Sequence, residues 1–442
     1  MKVAFYTLGC KVNQYETDIM IKEFMDKGYE VVKFTEKANI YVINSCSVTN
    51  MSTRKTRQYL SRAKNMGGIV VLVGCYAEVV REESDIKNVD LVLGNEEKKE
   101  VVKYVEKYVE KYLEENNIKF SDSKIENNKA KYVIGDISKV KKYIQKEKLE
   151  KGINIRESIK IEDGCNNFCS YCIIPYLRGR VRSRSLEDIK DEVTSLVKNG
   201  VREVILVGIE IASYGKDLDE NIDLVDVVET ISKIDGLNRV RLGSLEPRIL
   251  TDDNITRLSK IDKLCPHFHI SVQSIDNGVL SRMNRHYTRE FLFDRVSMLK
   301  KYFLHPAITC DIIVGFPGET DEEFSNTIDG VKKIEFYELH VFKYSKRKWT
   351  RAAKMENQVD GNISAKRSEE LISIGNELKD KYMNEYLGKT LDVLFESYDN
   401  GYLYGYTPNY IKVKVKGDES LWGKQVPVKL YSKEEELMLG SI

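Results

Sequence analysis

The chain has 442 residues, a formal net charge of +1, 42% hydrophobic residues and 31% charged residues. At about 150 residues per domain, this length predicts roughly three domains, and the composition excludes collagen-like and wholly disordered proteins. The balanced charge excludes a strong overall attraction to nucleic acid. No apolar run reaches the roughly 18 residues of a membrane span, and the first residues turn polar too early for a secretory signal. We therefore expect a cytoplasmic protein with no membrane partner.

Residues 1–104 are predicted to form an N-terminal α/β domain with a parallel sheet, because short apolar strands alternate with helical stretches. Three cysteines, Cys10, Cys46 and Cys75, each close a predicted strand. The C-terminal ends of parallel strands lie along one edge of a sheet, where open α/β sheets bind their ligands. The three thiols are therefore expected to converge, although buried cysteine at a strand end is also common core packing.

The rest of the chain divides into three further segments. A charged helical stretch and a polar linker are predicted over 105–150. Residues 151–380 alternate six strands with helices, which predicts a TIM-like barrel, complete or open, with its site at the C-terminal strand ends. The run IKVKVK at 411–416 alternates strictly, so residues 384–442 are predicted to form a small antiparallel β-barrel. The predicted fold class is α/β with this small barrel at its C-terminal end.

The sharpest local motif is GCNNFCSYCIIPYLRGR, which places Cys165, Cys169 and Cys172 in one loop after a predicted strand. A closed structural zinc site needs four protein ligands, and no histidine precedes His267 in the chain. Three thiolates on a cubane iron-sulfur cluster leave one iron open to a substrate or cosubstrate. The motif therefore favours a cluster, with zinc binding or packing as the alternatives. The remaining cysteines, Cys265 and Cys310, are interpreted as packing residues.

Together these motifs resemble the radical S-adenosylmethionine (SAM) methylthiotransferases along essentially the whole chain. The resemblance is carried by the two cysteine trios, the strings CNNFCSYCIIPYLRGRVRSR, DIIVGFPGET and HVFKYSKR, and the terminal barrel. Within that family, TLGCKVNQYET at residues 7–17 is similar to the branch acting on threonylcarbamoyladenosine beside the tRNA anticodon. The resemblance implies a radical SAM core over 151–380 and a TRAM domain, a nucleic-acid-binding module, over 384–442.

The resemblance also implies cofactors and partners. It assigns a 4Fe-4S cluster with an open iron to each trio, and it assigns SAM two uses. At the CxxxCxxC cluster SAM would be the source of the radical that removes hydrogen from adenosine carbon 2. It would also donate the methyl group of the methylated sulfur that the N-terminal cluster passes to that carbon. The implied partners are tRNA, a sulfur donor and an electron donor such as flavodoxin or ferredoxin.

Two other functions stay open at this point. One is the same chemistry on a different substrate, either isopentenyladenosine in tRNA or a ribosomal-protein aspartate. The other, from a different class, is a non-catalytic iron-sulfur protein that binds RNA. Cleavage of SAM under reducing conditions separates the enzymes from a mere binder.

Further candidate site residues follow from their positions. Four arginines follow the cluster loop at alternate positions, where an extended segment would present them on one face to tRNA phosphates or the threonylcarbamoyl carboxylate: Arg178, Arg180, Arg182 and Arg184. Residues at or near later strand ends are candidates for binding SAM: Gly208, Glu210, Glu246, Ser271, Gln273, Gly315 and Gly318. Tyrosines of the terminal barrel could stack on bases: Tyr402, Tyr404, Tyr406 and Tyr410. Structural ion pairs, ordinary turns and an amphipathic strand are the respective alternatives.

Four residues depart from the usual text of the family: Glu210, Ile275, Lys343 and Trp349. None of them is a predicted cluster ligand. The departures therefore bear on the pocket around the clusters rather than on the clusters.

Overall fold

The structure is a computed structural model that describes residues 1–81, 86–116, 130–144, 148–150, 152 and 154–442. Its N-terminal unit is a parallel sheet in the order β2-β1-β3-β4-β5-β6. The strands are β1 Lys2–Thr7, β2 Glu30–Val32, β3 Ile40–Ser45, β4 Ile69–Gly74, β5 Leu91–Leu93 and β6 Lys131–Val133. The helices are α1 Lys11–Asp26, α2 Asn50–Asn65, α3 Cys75–Val80 and α4 Val101–Asn116.

Helices cover both faces of this sheet. Side chains of α1 and α4 pack on one face, and side chains of α2 and α3 pack on the other. Because both faces are covered, β3 and β4 are buried at every position, as the continuous apolar runs of a central parallel strand require.

The segment 105–150 agrees with the prediction in its helical part and differs in its linker part. The helix α4 continues to Asn116, as the charged helical stretch predicts, but Lys131–Val133 pairs with β5 as an edge strand. A lysine-rich run reads as linker by composition, but an edge strand accepts such residues because one of its sides is open to water. Residues 117–129 and 145–147 of the predicted linker lie outside the described residues.

The central unit carries six parallel strands in two sheets, β7-β10-β11 and β12-β13-β14. An isolated parallel bridge between Leu245 and Ile270 joins the two halves. The six strands are β7 Arg156–Lys160, β10 Glu203–Val207, β11 Arg239–Leu242, β12 His267–Gln273, β13 Ala307–Val314 and β14 Glu338–Lys343. Two short strands, β8 Glu162–Asp163 and β9 Arg182–Ser183, lie between β7 and β10 in the chain. In the part of the chain that the structure describes, β14 does not pair with β7, so the predicted TIM-like barrel is open.

Helices follow the strands of this open barrel and enclose its core. They are α5 Ile174–Arg178, α6 Leu186–Lys198, α7 Leu224–Ser232, α8 Asp252–Leu258, α9 Asn277–Arg282, α10 Arg289–Tyr302, α11 Asp321–Ile334 and α12 Gly361–Asn384. The short pair β8 and β9 is antiparallel and flanks the CxxxCxxC loop. The loop is therefore held at both of its ends.

The C-terminal unit is a closed barrel in the order β15-β16-β17-β19-β18. Its strands are β15 Thr390–Asp399, β16 Tyr402–Tyr406, β17 Lys412–Lys416, β18 Gln425–Glu434 and β19 Leu437–Ser441. In β17 the valines are buried and the lysines lie outward, as the alternation predicts. The barrel is antiparallel except where β17 and β19 pair in parallel, a closure that strand periodicity alone does not reveal.

Candidate active site

The N-terminal cysteine trio lies at the C-terminal edge of three neighbouring strands. Cys10 caps α1 just after β1, Cys46 follows β3, and Cys75 begins α3 directly after β4. Burial, and then the charge of Cys75, raise the pKa of the Cys46 thiol to about 11. The strand order sets β1, β3 and β4 side by side, so the three thiols lie along one edge of the sheet, as the sequence predicts.

Gly9 gives the first loop of this trio its shape. Its φ is +105°, and a Cβ atom at this position would lie 2.8 Å from Cys46 Cβ. Only glycine combines this backbone conformation with this close approach. The spacing of Cys10 and Cys46 therefore depends on a residue that carries no chemistry of its own.

A buried ionic network, formed by Glu16, Asp163, Lys98, Lys160, Arg178 and Arg182, underlies the trio. Its four cations face two carboxylates, an excess of two positive charges. Arg178 connects the network to the thiols: it donates from Nη1 to Glu16 at 2.6 Å and from Nε to Cys75 Sγ at 3.4 Å. Buried positive charge needs an anion close by. A thiolate-bound iron-sulfur cluster, which is anionic, fits this requirement.

The second trio occupies the loop after β8. The Asn167 backbone N–H donates to Cys165 Sγ at 3.4 Å, and Arg285 Nη1 donates to Cys169 Sγ at 3.5 Å. Burial, and then the charge of Cys169, raise the pKa of Cys172 to about 12. Without metal the Cys172 thiol holds its proton, so metal binding must release it. Donors already directed at the sulfurs suit thiolates that carry negative charge.

A cavity of about 220 Å³ lies between the N-terminal sheet and the strand ends of the open barrel. Val48 and Thr49, just after Cys46, line it, and so does Cys172 of the second trio. Gln273, Asp311 and Lys343 close it from the strand ends of the open barrel. Cys75 packs with Ile173, which directly follows Cys172. The two trios therefore lie on neighbouring segments beside this cavity.

Among the described residues, no group of three or more His, Cys, Asp or Glu side chains is placed to hold a single metal ion. Each trio supplies three thiols, one fewer than the four protein ligands of a closed structural zinc site. Three thiolates on a cubane cluster leave one iron open to a further ligand. The chemistry of the donors present therefore fits a cluster.

Glu210 lies beside the CxxxCxxC loop. Burial, and then the charge of Glu246, raise its pKa to about 7. Asn167 Nδ2 donates to Glu210 Oε2 at 3.0 Å, while Glu210 Oε1 is buried and has no hydrogen-bond partner in the part of the chain that the structure describes. Glu210, Glu246 and Asn167 line a cleft of about 560 Å³. An unpaired carboxylate oxygen beside the loop fits a cationic ligand group such as the amino group of SAM.

The other candidates for binding SAM, apart from Glu246, are engaged in turns or in contacts with neighbouring protein groups. At Gly208 a Cβ would meet the Glu162 carboxylate at 2.5 Å, so a side chain is excluded there. The Ser271 carbonyl accepts from Arg285 Nη2 at 2.7 Å, and Gln273 has a left-handed φ of +68°. Gly315 and Gly318 lie in a turn at the end of β13, where the Gly315 N–H donates to Glu319. Glu210 and Glu246 are thus the candidates that border the cleft.

The four arginines do not share one face of a strand. Arg178 ends the short helix α5, and Arg178, Arg182 and Arg184 are buried. Arg182 bonds to backbone carbonyls, and Arg184 donates to Glu192 at 2.6 Å. Arg180 is exposed and lies over the Phe168 ring at 4.5 Å. Alternation along the sequence predicted a common face, but the chain turns through a helix and Gly179, so the four side chains do not line up. The burial of three of the four argues against contacts between these arginines and tRNA.

Comparisons with known proteins agree with this architecture. A sequence model of the Radical SAM superfamily matches residues 159–331, and one of the Uncharacterized protein family UPF0004 matches residues 2–94. The chain is 39% identical to the threonylcarbamoyladenosine tRNA methylthiotransferase of Bacillus subtilis, covering 97% of this chain and 93% of that protein. The Aquifex aeolicus protein of the same name is 36% identical, over 97% and 100%. The chain belongs to the radical SAM tRNA methylthiotransferase family.

Two further comparisons concern a relative of this methylthiotransferase with a different named substrate and a solved structure with a similar fold. The tRNA-2-methylthio-N(6)-dimethylallyladenosine synthase of Clostridium botulinum (strain Loch Maree) is 35% identical, over 96% of this chain and 93% of that protein. A solved radical SAM methyltransferase from Kitasatospora setae, with cobalamin and a [4Fe-4S] cluster bound, superposes with a TM-score of 0.53 at 15% identity, over 79% of this chain and 76% of that one. At this identity the likeness concerns the fold alone.

The family resemblance and the predicted fold class are thus confirmed, and the family uses SAM and 4Fe-4S clusters. The helices that the structure describes include none that is both long and apolar enough to cross a membrane.

Several residues of the methylthiotransferase site were missed in the sequence. Glu16, Asn167 and Arg285 contact cluster thiols or the residues that hold them. Glu16 and Asn167 lie inside the strings TLGCKVNQYET and CNNFCSYC, so proximity to a cysteine was an available signal. Arg285 reaches its thiol from more than a hundred residues away, and no local pattern indicates it.

Half of the predicted stacking tyrosines are used inside the methylthiotransferase. Tyr406 and Tyr410 stack on each other at 4.9 Å, and Arg156 and Arg241 lie over their rings at 4.6 Å and 4.7 Å. These contacts join the terminal barrel to the core. Tyr402 remains exposed, with Lys414 over its ring at 4.8 Å. Tyr406 and Tyr410 are thus engaged within the protein, and base stacking stays a prediction for the four tyrosines.

The residues that depart from the usual family sequence lie in different environments. Ile275 is buried against Gly330 in the core. Trp349 has a left-handed φ of +69° and packs with Cys75, Ile173 and Leu177. Lys343 lines the 220 Å³ cavity between the trios. Lys343 and Glu210 are thus the departures that bear on ligand binding.

Proposed function

We propose that this enzyme adds a methylthio group to carbon 2 of threonylcarbamoyladenosine in tRNA. The observation that carries the proposal is the pair of thiol trios on neighbouring segments, since Cys75 packs with Ile173, which directly follows Cys172, and Arg178 donates to Cys75 Sγ. Two relatives at 39% and 36% identity are named for this reaction. The string TLGCKVNQYET supports the same branch.

In this proposal Cys165, Cys169 and Cys172 hold one 4Fe-4S cluster, and Cys10, Cys46 and Cys75 hold the other. When bound, the clusters and SAM supply one-electron chemistry that can break an unactivated C–H bond and deliver sulfur. Arg178 and Arg285 donate to cluster thiolates and offset part of their negative charge. The cavity walls exclude water from the reacting groups.

The cleft beside Glu210 is proposed to hold SAM. The unpaired Glu210 oxygen would accept from the SAM amino group, and Asn167 would keep that carboxylate in position. Binding a cation there favours the ionised form of Glu210, whose pKa burial raises to about 7. A flavodoxin or ferredoxin as electron donor, a separate sulfur donor and a cytoplasmic location complete the proposal.

A second candidate is the same reaction on dimethylallyladenosine in tRNA. It is favoured by the relatives at 34–35% identity that are named for that reaction. We place it second because the relatives of higher identity carry the first name. The two substrates differ in charge, since the threonylcarbamoyl group ends in a carboxylate and the dimethylallyl group is apolar.

The test expresses the chain in cells that lack this modification and measures tRNA nucleosides by mass spectrometry. The wild type should produce 2-methylthio-threonylcarbamoyladenosine, whereas Cys10→Ala and Cys165→Ala should produce none. Cys265→Ala changes a buried cysteine outside both trios and serves as the matched control. Appearance of the methylthio-dimethylallyl nucleoside instead would select the second candidate. Activity in Cys10→Ala would refute the role of the N-terminal trio.

A further inference from the structure

A cationic cleft of about 1020 Å³ opens beside the N-terminal trio, between α2 and the segment that follows β14. Its charged side chains come from both domains and are Arg54, Arg57, Arg62, Arg347 and Lys348. Among the described residues no carboxylate lines this cleft, and most of the other lining side chains carry hydroxyl or amide groups. In the part of the chain that the structure describes, this lining is positive and polar, which suits an anion.

Two of these cations are available to a ligand. Neither Arg54 nor Arg62 forms a side-chain hydrogen bond or ion pair with a described residue, and both are exposed. Arg347 is instead buried, and its Nη2 donates to Asn50 Oδ1 and to Ser345 Oγ, each at 2.8 Å. The far wall is thus fixed, while Arg54 and Arg62 lie exposed on α2.

The cleft continues into the cavity between the trios. Ser47 and Tyr76 line the cleft and directly follow Cys46 and Cys75. Thr49 and Ser345 line the cavity, and the Asn50 N–H of the cleft donates to Ser345 Oγ at 3.1 Å. One wall therefore belongs to both spaces. A molecule whose reacting group lies in the cavity has a direct path into the cleft.

The extent of the cleft favours a polymer over a small anion. Its lining runs along the whole of α2, from Asn50 to Asn65, which at about 1.5 Å per residue is roughly 24 Å. That length spans several phosphate spacings of a nucleic acid strand, and a chain of phosphates matches spaced arginines better than one small ion does.

We propose that this cleft binds the phosphodiester backbone of the tRNA nucleotides that flank the modified nucleoside. This inference rests on the proposed function, since it places the base in the cavity and its neighbours in the cleft. Arg54 and Arg62 contact phosphates. The cleft thereby sets the register of the RNA on the enzyme without reading its sequence.

The test measures binding of a fluorescently labelled anticodon stem-loop RNA to the cluster-loaded, full-length enzyme by anisotropy, over a range of KCl concentrations. Arg54→Glu/Arg62→Glu should weaken binding by tenfold or more, on the order of the loss of two phosphate contacts. The slope of log affinity against log salt should fall by about 1.5. Arg54→Gln/Arg62→Gln should give a smaller loss of the same sign. This glutamine double variant keeps the proposal testable if charge reversal disturbs folding.

Lys55→Glu is the matched control, because Lys55 is exposed on the same helix but does not line the cleft. It should leave both affinity and slope unchanged. All variants are compared at equal iron content and equal thermal midpoint.

Wild-type affinity and slope in both double variants would overturn the proposal. Unchanged RNA binding with slower reduction by an acidic flavodoxin would overturn it too, and would assign the cleft to a protein partner. A different result would refute the proposed function alone: the wild-type enzyme would bind the RNA but form no methylthio nucleoside.

Discussion

Among the described residues, Arg178 is the side chain that hydrogen-bonds both to the Cys75 thiol and to the buried ionic network. Its guanidinium donates to Cys75 Sγ, to Glu16 and to Asn13 Oδ1. A lysine could not replace it, because three separated acceptors need the planar fork of a guanidinium. The residue thus adjusts the charge beside one cluster while it joins two domains.

Replacing Arg178 with methionine should lower the free energy of unfolding of the metal-free protein by about 2–3 kcal/mol. The loss is moderate for a buried ion pair because Lys98 and Lys160 still face Glu16. Urea unfolding followed by circular dichroism provides the measurement. Arg180→Met removes an exposed arginine two residues away and should change stability by less than about 0.5 kcal/mol. Equal effects of the two substitutions would contradict the assigned role of Arg178.

The cysteines could be predicted from sequence at this scale, but the partners of the arginines could not. Cysteine spacing is a local signal, and each trio follows a strand end. The alternation of Arg178, Arg180, Arg182 and Arg184 is also local, but whether an arginine faces water depends on carboxylates supplied by other elements. Glu16 meets Arg178 across 162 positions of sequence, and periodicity carries no information on such a pair.

At the scale of elements, the site depends on loops that leave parallel strands. Each N-terminal cysteine lies where a strand passes into a helix or a loop, and the strand order brings β1, β3 and β4 side by side. This arrangement followed from the α/β pattern, because parallel strands must end on one edge. The short strand β6 and the parallel pairing of β17 with β19 did not follow, because both depend on pairing partners distant in sequence.

Gly9→Ala should remove roughly half of the iron from the reconstituted protein, the share of one of two equal clusters. The added Cβ would lie 2.8 Å from Cys46 Cβ and force the first loop away from the trio. Iron and sulfide assays give the measurement. Gly28→Ala is the control, since Gly28 also has a positive φ, +79°, but nothing lies within 4 Å of an added Cβ. Full iron content in Gly9→Ala would show that the loop tolerates a side chain.

At the scale of the whole molecule, the terminal barrel is attached to the core by buried arginines. Arg241 is fully buried, donates to Glu203 at 2.8 Å and to the Pro408 carbonyl at 3.0 Å, and lies over Tyr410. Arg239 donates to the carbonyls of Tyr406 and Asp392. The barrel therefore has a fixed position relative to the cavity, which suits a module that helps to hold a large substrate.

Arg241→Met should lower the urea midpoint and speed thermolysin cleavage between the core and the barrel, near residues 384–390. The expected loss is about 2–4 kcal/mol, because the substitution leaves Glu203 with only the longer contact to Arg239, at 3.7 Å. Arg257→Met also removes an arginine with several carboxylate partners, but Arg257 is partly exposed and lies away from the barrel, so about 1 kcal/mol or less is expected. Cleavage at the wild-type rate in Arg241→Met would show that other contacts attach the barrel.

The buried ionic network also constrains how the enzyme can move. Glu16 and Lys98 come from the N-terminal domain, while Lys160, Asp163 and Arg178 come from the core. Opening a hinge between these two units would expose paired charges to water and separate opposite charges at low dielectric, which is costly. The network therefore opposes a hinge motion between the two units. Under the proposed function, the RNA loop has to deform to enter a preformed opening, with its target base turned out of the stack.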